Sequence, residues 1–134
     1  MLSHTHILNM TESTAFHALR EQLEGLFPKT CGCCGHQYGS LHGYLQTVQH
    51  LGPAVCFDVE CGDWHPLKPL GTLMFANCPC GSTLALSSDG MPLLQLWSML
   101  DWVKIESKLR SLTAQQTLSY LRAEVCLQAL ANAA

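Results

Sequence analysis

Residues 72–87 read TLMFANCPCGSTLALS, and this stretch decides the fold. Two short apolar runs, Thr72–Ala76 and Thr83–Ser87, flank the turn Asn77-Cys78-Pro79-Cys80-Gly81. Apolar runs of this length, bounded by proline and glycine, read as strands. The stretch is therefore expected to be a strand–turn–strand unit with two thiols at its tip.

The unit lies in a segment of distinct composition. Residues 28–90 hold nine of the ten glycines, five of the six prolines and seven of the eight cysteines. Breakers at that density leave no room for a long helix. A further apolar run, Ala54–Val59, reads as a third strand. Residues 40–50 fit either a strand or a short helix.

On both sides of this segment the apolar spacing becomes helical. Phe16, Leu19, Leu23, Leu26 and Phe27 share one face of a helix over residues 12–27. Thr11 and Ser13 are candidate N-caps, and Pro28 is the stop. Beyond residue 91, Pro92 suits a first helical position, with Ser88 or Asp89 ahead of it as cap. Leu93, Leu96, Trp97, Leu100 and Val103 form a stripe that Leu94, Ile105 and Leu109 widen. Thr113 and Gln116 have the spacing of a capping box. A last helix follows, with Leu118, Leu121, Val125 and Ala129 in register. The expected fold is α+β in one domain, residues 1–134. A small antiparallel β unit within residues 28–90 carries an N-terminal helix (12–27) and a C-terminal helical pair (91–134).

The cysteines point to a metal. A first cluster, Cys31-Gly32-Cys33-Cys34-Gly35-His36, lies 43 residues before the second, counted between Cys34 and Cys78. Each cluster has a Cys-Gly step, where glycine allows the tight backbone turn that aims thiolates at one point. Four thiolates suit a structural, tetrahedral zinc, because they leave no position for an exchangeable water. The expected ligands are Cys31, Cys34, Cys78 and Cys80. Cys33 in place of Cys34 would mirror the one-residue spacing of Cys78 and Cys80, so that choice stays open. An iron–sulfur cluster is the alternative cofactor, since four thiolates also hold one. Paired cystines without metal are the other alternative. Cys56, Cys61 and His65 form a secondary set that could share a second ion with Cys33 or His36. The plainer reading of Val-Cys-Phe-Asp-Val-Glu-Cys is a strand with one buried face. Cys126 reads as a core residue of the last helix.

At the two knuckles, Cys31-x-x-Cys34-Gly35 and Cys78-x-Cys80-Gly81, the chain resembles the zinc-ribbon fold group. The resemblance covers these turns and the strands around the second, not the helical ends. The second knuckle departs from the usual pattern by having one residue between its cysteines instead of two.

Composition narrows the function classes. Charged residues are 13% of the chain and hydrophobic ones 48%. Charge that sparse leaves apolar surface for a partner. Residues 1–90 hold three basic residues against seven acidic; residues 91–134 hold four against three. The cysteine-rich part is thus acidic, the reverse of a phosphate-tracking surface. The first residues show no basic, apolar leader, and no run approaches the ~18 apolar residues of a membrane span. These features point to a cytoplasmic protein with reduced thiols. Asp58, Glu60 and Asp63 read as a solvated strand face and loop. One of Trp97 and Trp102, five residues apart, is expected in the core and the other against a partner. Ser3-His4-Thr5-His6 has the composition of an adventitious chelator.

The expected function is a zinc-stabilised, non-enzymatic interaction or adaptor module that binds a protein partner, or a second copy, through its apolar helical surface. A nucleic-acid-binding zinc ribbon is one alternative. A thiol redox sensor that releases its zinc on oxidation is the other.

Overall fold

The computed structural model describes residues 10–131. Its architecture is α+β: helices at both ends enclose two small antiparallel sheets. The elements in chain order are α1 (Glu12–Glu24), β1 (Lys29–Thr30), β2 (Gln37–Tyr38), α2 (Leu41–Thr47), β3 (Gln49–Cys56), α3 (Phe57–Glu60), β4 (Thr72–Asn77), β5 (Thr83–Ser87), α4 (Leu93–Leu109) and α5 (Ala114–Ala131). Ser3, His4 and His6 lie outside the described residues.

β1 pairs only with β2, and the second sheet has the order β3-β4-β5. β4 and β5 form the hairpin expected from residues 72–87, in unbroken register from Leu73 opposite Ser87 to Asn77 opposite Thr83. Alternation sends Thr72, Met74 and Ala76 of β4, and Leu84 and Leu86 of β5, into the core. β3 is bulged between Leu51 and Val55. Its inner surface packs on α5, which also receives α1, α2 and α4. Leu121 and Val125 of α5 are thereby wholly enclosed.

Local chemistry sets the helix ends. Thr11 caps α1, and Thr14 reciprocates by accepting from the Thr11 amide at 2.8 Å. The helix ends at Glu24 with Gly25 as cap, three residues before the expected end at Phe27, and Leu26 and Phe27 pack against the core from the connecting segment. Thr113 and Gln116 make the expected capping box at the start of α5. Where α4 and α5 cross, buried Ser107 and Thr117 share a hydroxyl–hydroxyl bond of 2.7 Å.

Several expectations are corrected. Residues 57–60 are a helical turn, so the third strand ends at Cys56 and begins earlier, at Gln49. The cause is Asp58, which is buried instead of solvated. Its carboxylate accepts from the amides of Leu70 (2.8 Å) and Gly71 (3.0 Å), which draws the backbone out of extended geometry. Pro92 is the N-cap of α4, not its first helical residue, and Ser88 caps nothing there: its hydroxyl accepts from the Thr72 amide. The buried face of α4 is Leu96, Met99, Leu100, Trp102 and Val103, whereas Leu94, Ile105 and Leu109 point outward. Trp102 is the core tryptophan. Trp97 is held within the chain, donating its indole N–H to the Pro66 carbonyl at 2.8 Å.

Candidate metal centre

The first knuckle is the tip of the β1–β2 hairpin and the second is the tip of β4–β5. They close in the same way. In the first, the Cys31 amide donates to the His36 carbonyl and the Gly35 amide donates back to the Cys31 carbonyl, both at 2.9 Å. In the second, the Cys78 amide donates to the Ser82 carbonyl at 2.9 Å and the Gly81 amide to the Cys78 carbonyl at 2.8 Å. Each leading cysteine thus bonds to the residue two beyond the second cysteine, and the intervening glycine completes the turn. Gly35 (φ +78°) and Gly81 (φ +96°) both occupy the left-handed region that a side chain would strain. The second knuckle is the same turn with one residue removed, which fits Cys-x-Cys in place of Cys-x-x-Cys.

The two turns bring four sulfurs together. The Sγ atoms of Cys31, Cys34, Cys78 and Cys80 all lie within 4.8 Å of one another. Across the knuckles, the Cys31 and Cys80 sulfurs and the Cys34 and Cys78 sulfurs are each 3.7 Å apart. Four thiolates around one ion at about 2.3 Å stand about 3.8 Å apart at the corners of a tetrahedron. A cystine would bring two sulfurs to about 2.05 Å, and all eight cysteines are free. The cluster is thus a four-cysteine group that can hold a metal ion. Cys34, not Cys33, is the member from the first turn.

Donors surround the sulfurs. The Ser82 hydroxyl lies between Cys31 (3.1 Å) and Cys80 (3.2 Å), and the Tyr38 hydroxyl is 3.0 Å from the Cys78 sulfur. Tyr38 is held by an aromatic chain: its ring stands edge-on to Tyr44 at 5.2 Å, which in turn meets Phe27 at 5.4 Å.

Without a cation, Cys31 and Cys34 are driven in opposite directions. Ser82 and the Cys34 and Cys33 amides draw the Cys31 thiol down to about 6. Cys80 is likewise lowered, first by the Ser82 hydroxyl. The His36 amide favours the Cys34 thiolate, but desolvation and the neighbouring Cys31, Cys78 and Cys80 outweigh it and push Cys34 up to about 11. The Tyr38 hydroxyl is raised, chiefly by its bond to Cys78. The first proton leaves easily and a later one is retained. A divalent cation removes the repulsion that retains it.

The secondary candidates lie elsewhere. Cys33 is exposed at the first turn, and His36 contributes its amide and carbonyl while its ring packs edge-on against Tyr38. Cys56 is buried at the end of β3, its sulfur 4.0 Å from the Asp58 carboxylate. Cys61 is exposed at the end of α3. The His65 ring bonds to the Asp101 carboxylate at 2.7 Å and stacks on Trp97. Among the described residues, no second group of three or more His, Cys, Asp or Glu side chains converges as a metal site. Cys126 packs partly buried against the core. Sequence reasoning missed Tyr38 and Ser82; only the position of Ser82, next to Cys80-Gly81, hinted at a role.

Comparison with known proteins returned no match among protein-family models, curated proteins or solved structures. Among the described residues, no helix is long and apolar enough to cross a membrane.

Proposed function

We propose that the chain is a zinc-stapled, non-enzymatic interaction module whose Cys31, Cys34, Cys78 and Cys80 hold one structural ion. The observation that carries this reading is the convergence of four sulfurs within 4.8 Å of one another. Two or four irons would spread the thiolates over separate metal atoms, farther apart than the 4.8 Å span here, which favours a single ion. Among single ions, soft tetrahedral thiolate sets suit zinc. Four protein ligands leave no open position, so the ion's contribution is to folding.

Interaction is supported by what the helices leave uncovered. Leu94, Ile105 and Leu109 of α4 and Leu127 of α5 are each more than half exposed. A nucleic-acid role is disfavoured, because the basic residues are few and all three arginines are engaged. Arg20 pairs with Glu24, Arg110 with Glu12 and Glu106, and Arg122 bonds to the Gly52 carbonyl. Lys104 lies over the Trp64 ring.

The test is elemental analysis of the purified chain with a thiol count before and after chelation. One zinc per chain, with four thiols protected until the chelator is added, is the expected result. Iron, two ions per chain, or eight thiols free throughout would overturn it.

A further inference from the structure

The two edges of the three-stranded sheet are treated differently. The β3 edge is guarded: it carries Pro53 and the bulge between Leu51 and Val55. The Ala54 amide donates to the Ser119 hydroxyl, and the Gly52 carbonyl accepts from Arg122. The β5 edge, Thr83-Leu84-Ala85-Leu86-Ser87, has no charge, no proline and no bulge. Natural sheets blunt exposed edges with such features, because a bare edge is a template for another strand.

Hydrogen-bond phase shows which groups that edge presents. The Cys78 amide bonds to Ser82 and the Ser88 amide to Thr72, so residues 82 and 88 face β4 in bonded pairs. In an antiparallel ladder bonded and non-bonded pairs alternate. Leu84 and Leu86 therefore also bond toward β4, and Thr83, Ala85 and Ser87 aim their amides and carbonyls outward. Among the described residues, the one partner on that side is the Gln22 side chain, which donates to the Ser87 carbonyl at 3.3 Å and the Asp89 carbonyl at 2.7 Å.

The strand is also complementary to itself. An antiparallel copy centred on Ala85 sets Ala85 opposite Ala85, each Leu84 opposite Leu86, and each Thr83 opposite Ser87. Pairs opposite Ala85 and Thr83 fall on the outward-facing groups, so the ladder's bonds continue across the axis. Hydroxyl meets hydroxyl on the outer surface, and leucine meets leucine on the core side, the favourable cross-strand pairings. No like charges are brought together. The Ser87 carbonyl, with two lone pairs, can accept from its new partner beside Gln22.

We infer that β5 is a two-fold self-association edge, joining two copies of this chain into one continuous sheet of order β3-β4-β5-β5-β4-β3. This goes beyond the metal reading and places self-association on a strand instead of on the exposed helical leucines.

The test uses position 85, because the side chain there meets itself at the axis and lies on the outer surface away from the core. Sedimentation velocity over a wide concentration range, with metal content measured on the same samples, is compared for the wild type, Ala85→Lys, Ala85→Glu and a mixture of the two variants. The wild type is expected to dimerise with concentration. Each variant alone should be monomeric with unchanged metal content and circular dichroism, and the mixture should regain the dimer. A wild type that stays monomeric at every concentration overturns the inference, as does a dimer that survives in both variants. If both variants unfold, a Leu94→Lys, Leu109→Lys double variant decides: an intact dimer supports the edge, and a lost one assigns association to the helices.

Discussion

At the residue scale, the four-cysteine group is bordered by two hydroxyls that the cysteine spacing does not encode. Tyr38 and Ser82 are the side-chain donors to the sulfurs, and such outer contacts usually tune metal affinity by about 10–100-fold. Tyr38→Phe keeps the ring contacts and removes only the bond to Cys78. It is expected to weaken zinc binding about tenfold in competition with a chromophoric chelator, with little change in circular dichroism. Unchanged affinity would remove Tyr38 from the site. Protonation sets a second expectation. Thiolates bind zinc and thiols do not, so protons compete with the ion. At neutral pH the Cys31 proton has already gone, with its thiol near 6, while Cys34, near 11, must still release one. Affinity should therefore rise with pH above neutrality until Cys34 ionises freely. It should fall more steeply once pH drops below about 6, where Cys31 also competes. Calorimetry in buffers of different ionisation enthalpy reads the proton release directly, and binding without proton release at neutral pH would contradict this account. Asp58 is the third residue to test. Removing its carboxylate in Asp58→Ala strands two amides, at a cost of about 1–3 kcal/mol in urea unfolding.

At the scale of elements, the β4–β5 hairpin and the C-terminal helix were legible because local chemistry decides them. Thr83–Ser87 and Thr72–Asn77 are bounded by breakers, and Thr113 with Gln116 announces a helix start. The pairing of Cys31 with Cys34 became clear only when the shared bonding of the two turns could be compared. What stayed hidden depends on distant partners. Residues 57–60 alternate like a strand, and only the amides of Leu70 and Gly71 make them a helical turn. Apolar residues spread around much of α4: the stripe put Leu96, Leu100 and Val103 in the core, where they are, but packing against α1 and α5 also takes in Met99 and Trp102 and leaves Leu94, Ile105 and Leu109 outside. The knuckles themselves offer a prediction at this scale. A methyl group at Gly81 would meet nothing within 4 Å, so Gly81→Ala isolates the backbone penalty of φ +96°. That penalty is on the order of 1–3 kcal/mol, expected as a lower midpoint in thermal unfolding of the metal-loaded chain. An unchanged midpoint would mean the turn has relaxed to another geometry.

At the scale of the molecule, an ion held at the knuckles and the packing of the helices would stabilise different parts of the chain. α1, α4 and α5 pack Leu19, Leu100 and Leu121 into the shared core, while the β1–β2 hairpin, with two residues per strand, joins that core chiefly through Cys31 and Tyr38. Removal of the ion should accordingly free the first knuckle without melting the helical core. Hydrogen exchange after chelation is expected to show lost protection at the Cys31 and Gly35 amides and retained protection across α5. Uniform loss would mean that the whole fold depends on the ion. The sparse charge noted in the sequence also acts at this scale, since it leaves β5 bare and four helical leucines or isoleucines more than half exposed.

The central claim is that sulfurs from two hairpin tips surround a single zinc, and X-ray absorption at the zinc edge of the purified chain tests it most directly. One shell of four sulfurs at about 2.3 Å is the predicted result. A shell containing nitrogen or oxygen, fewer than four sulfurs, or a metal–metal distance would contradict it.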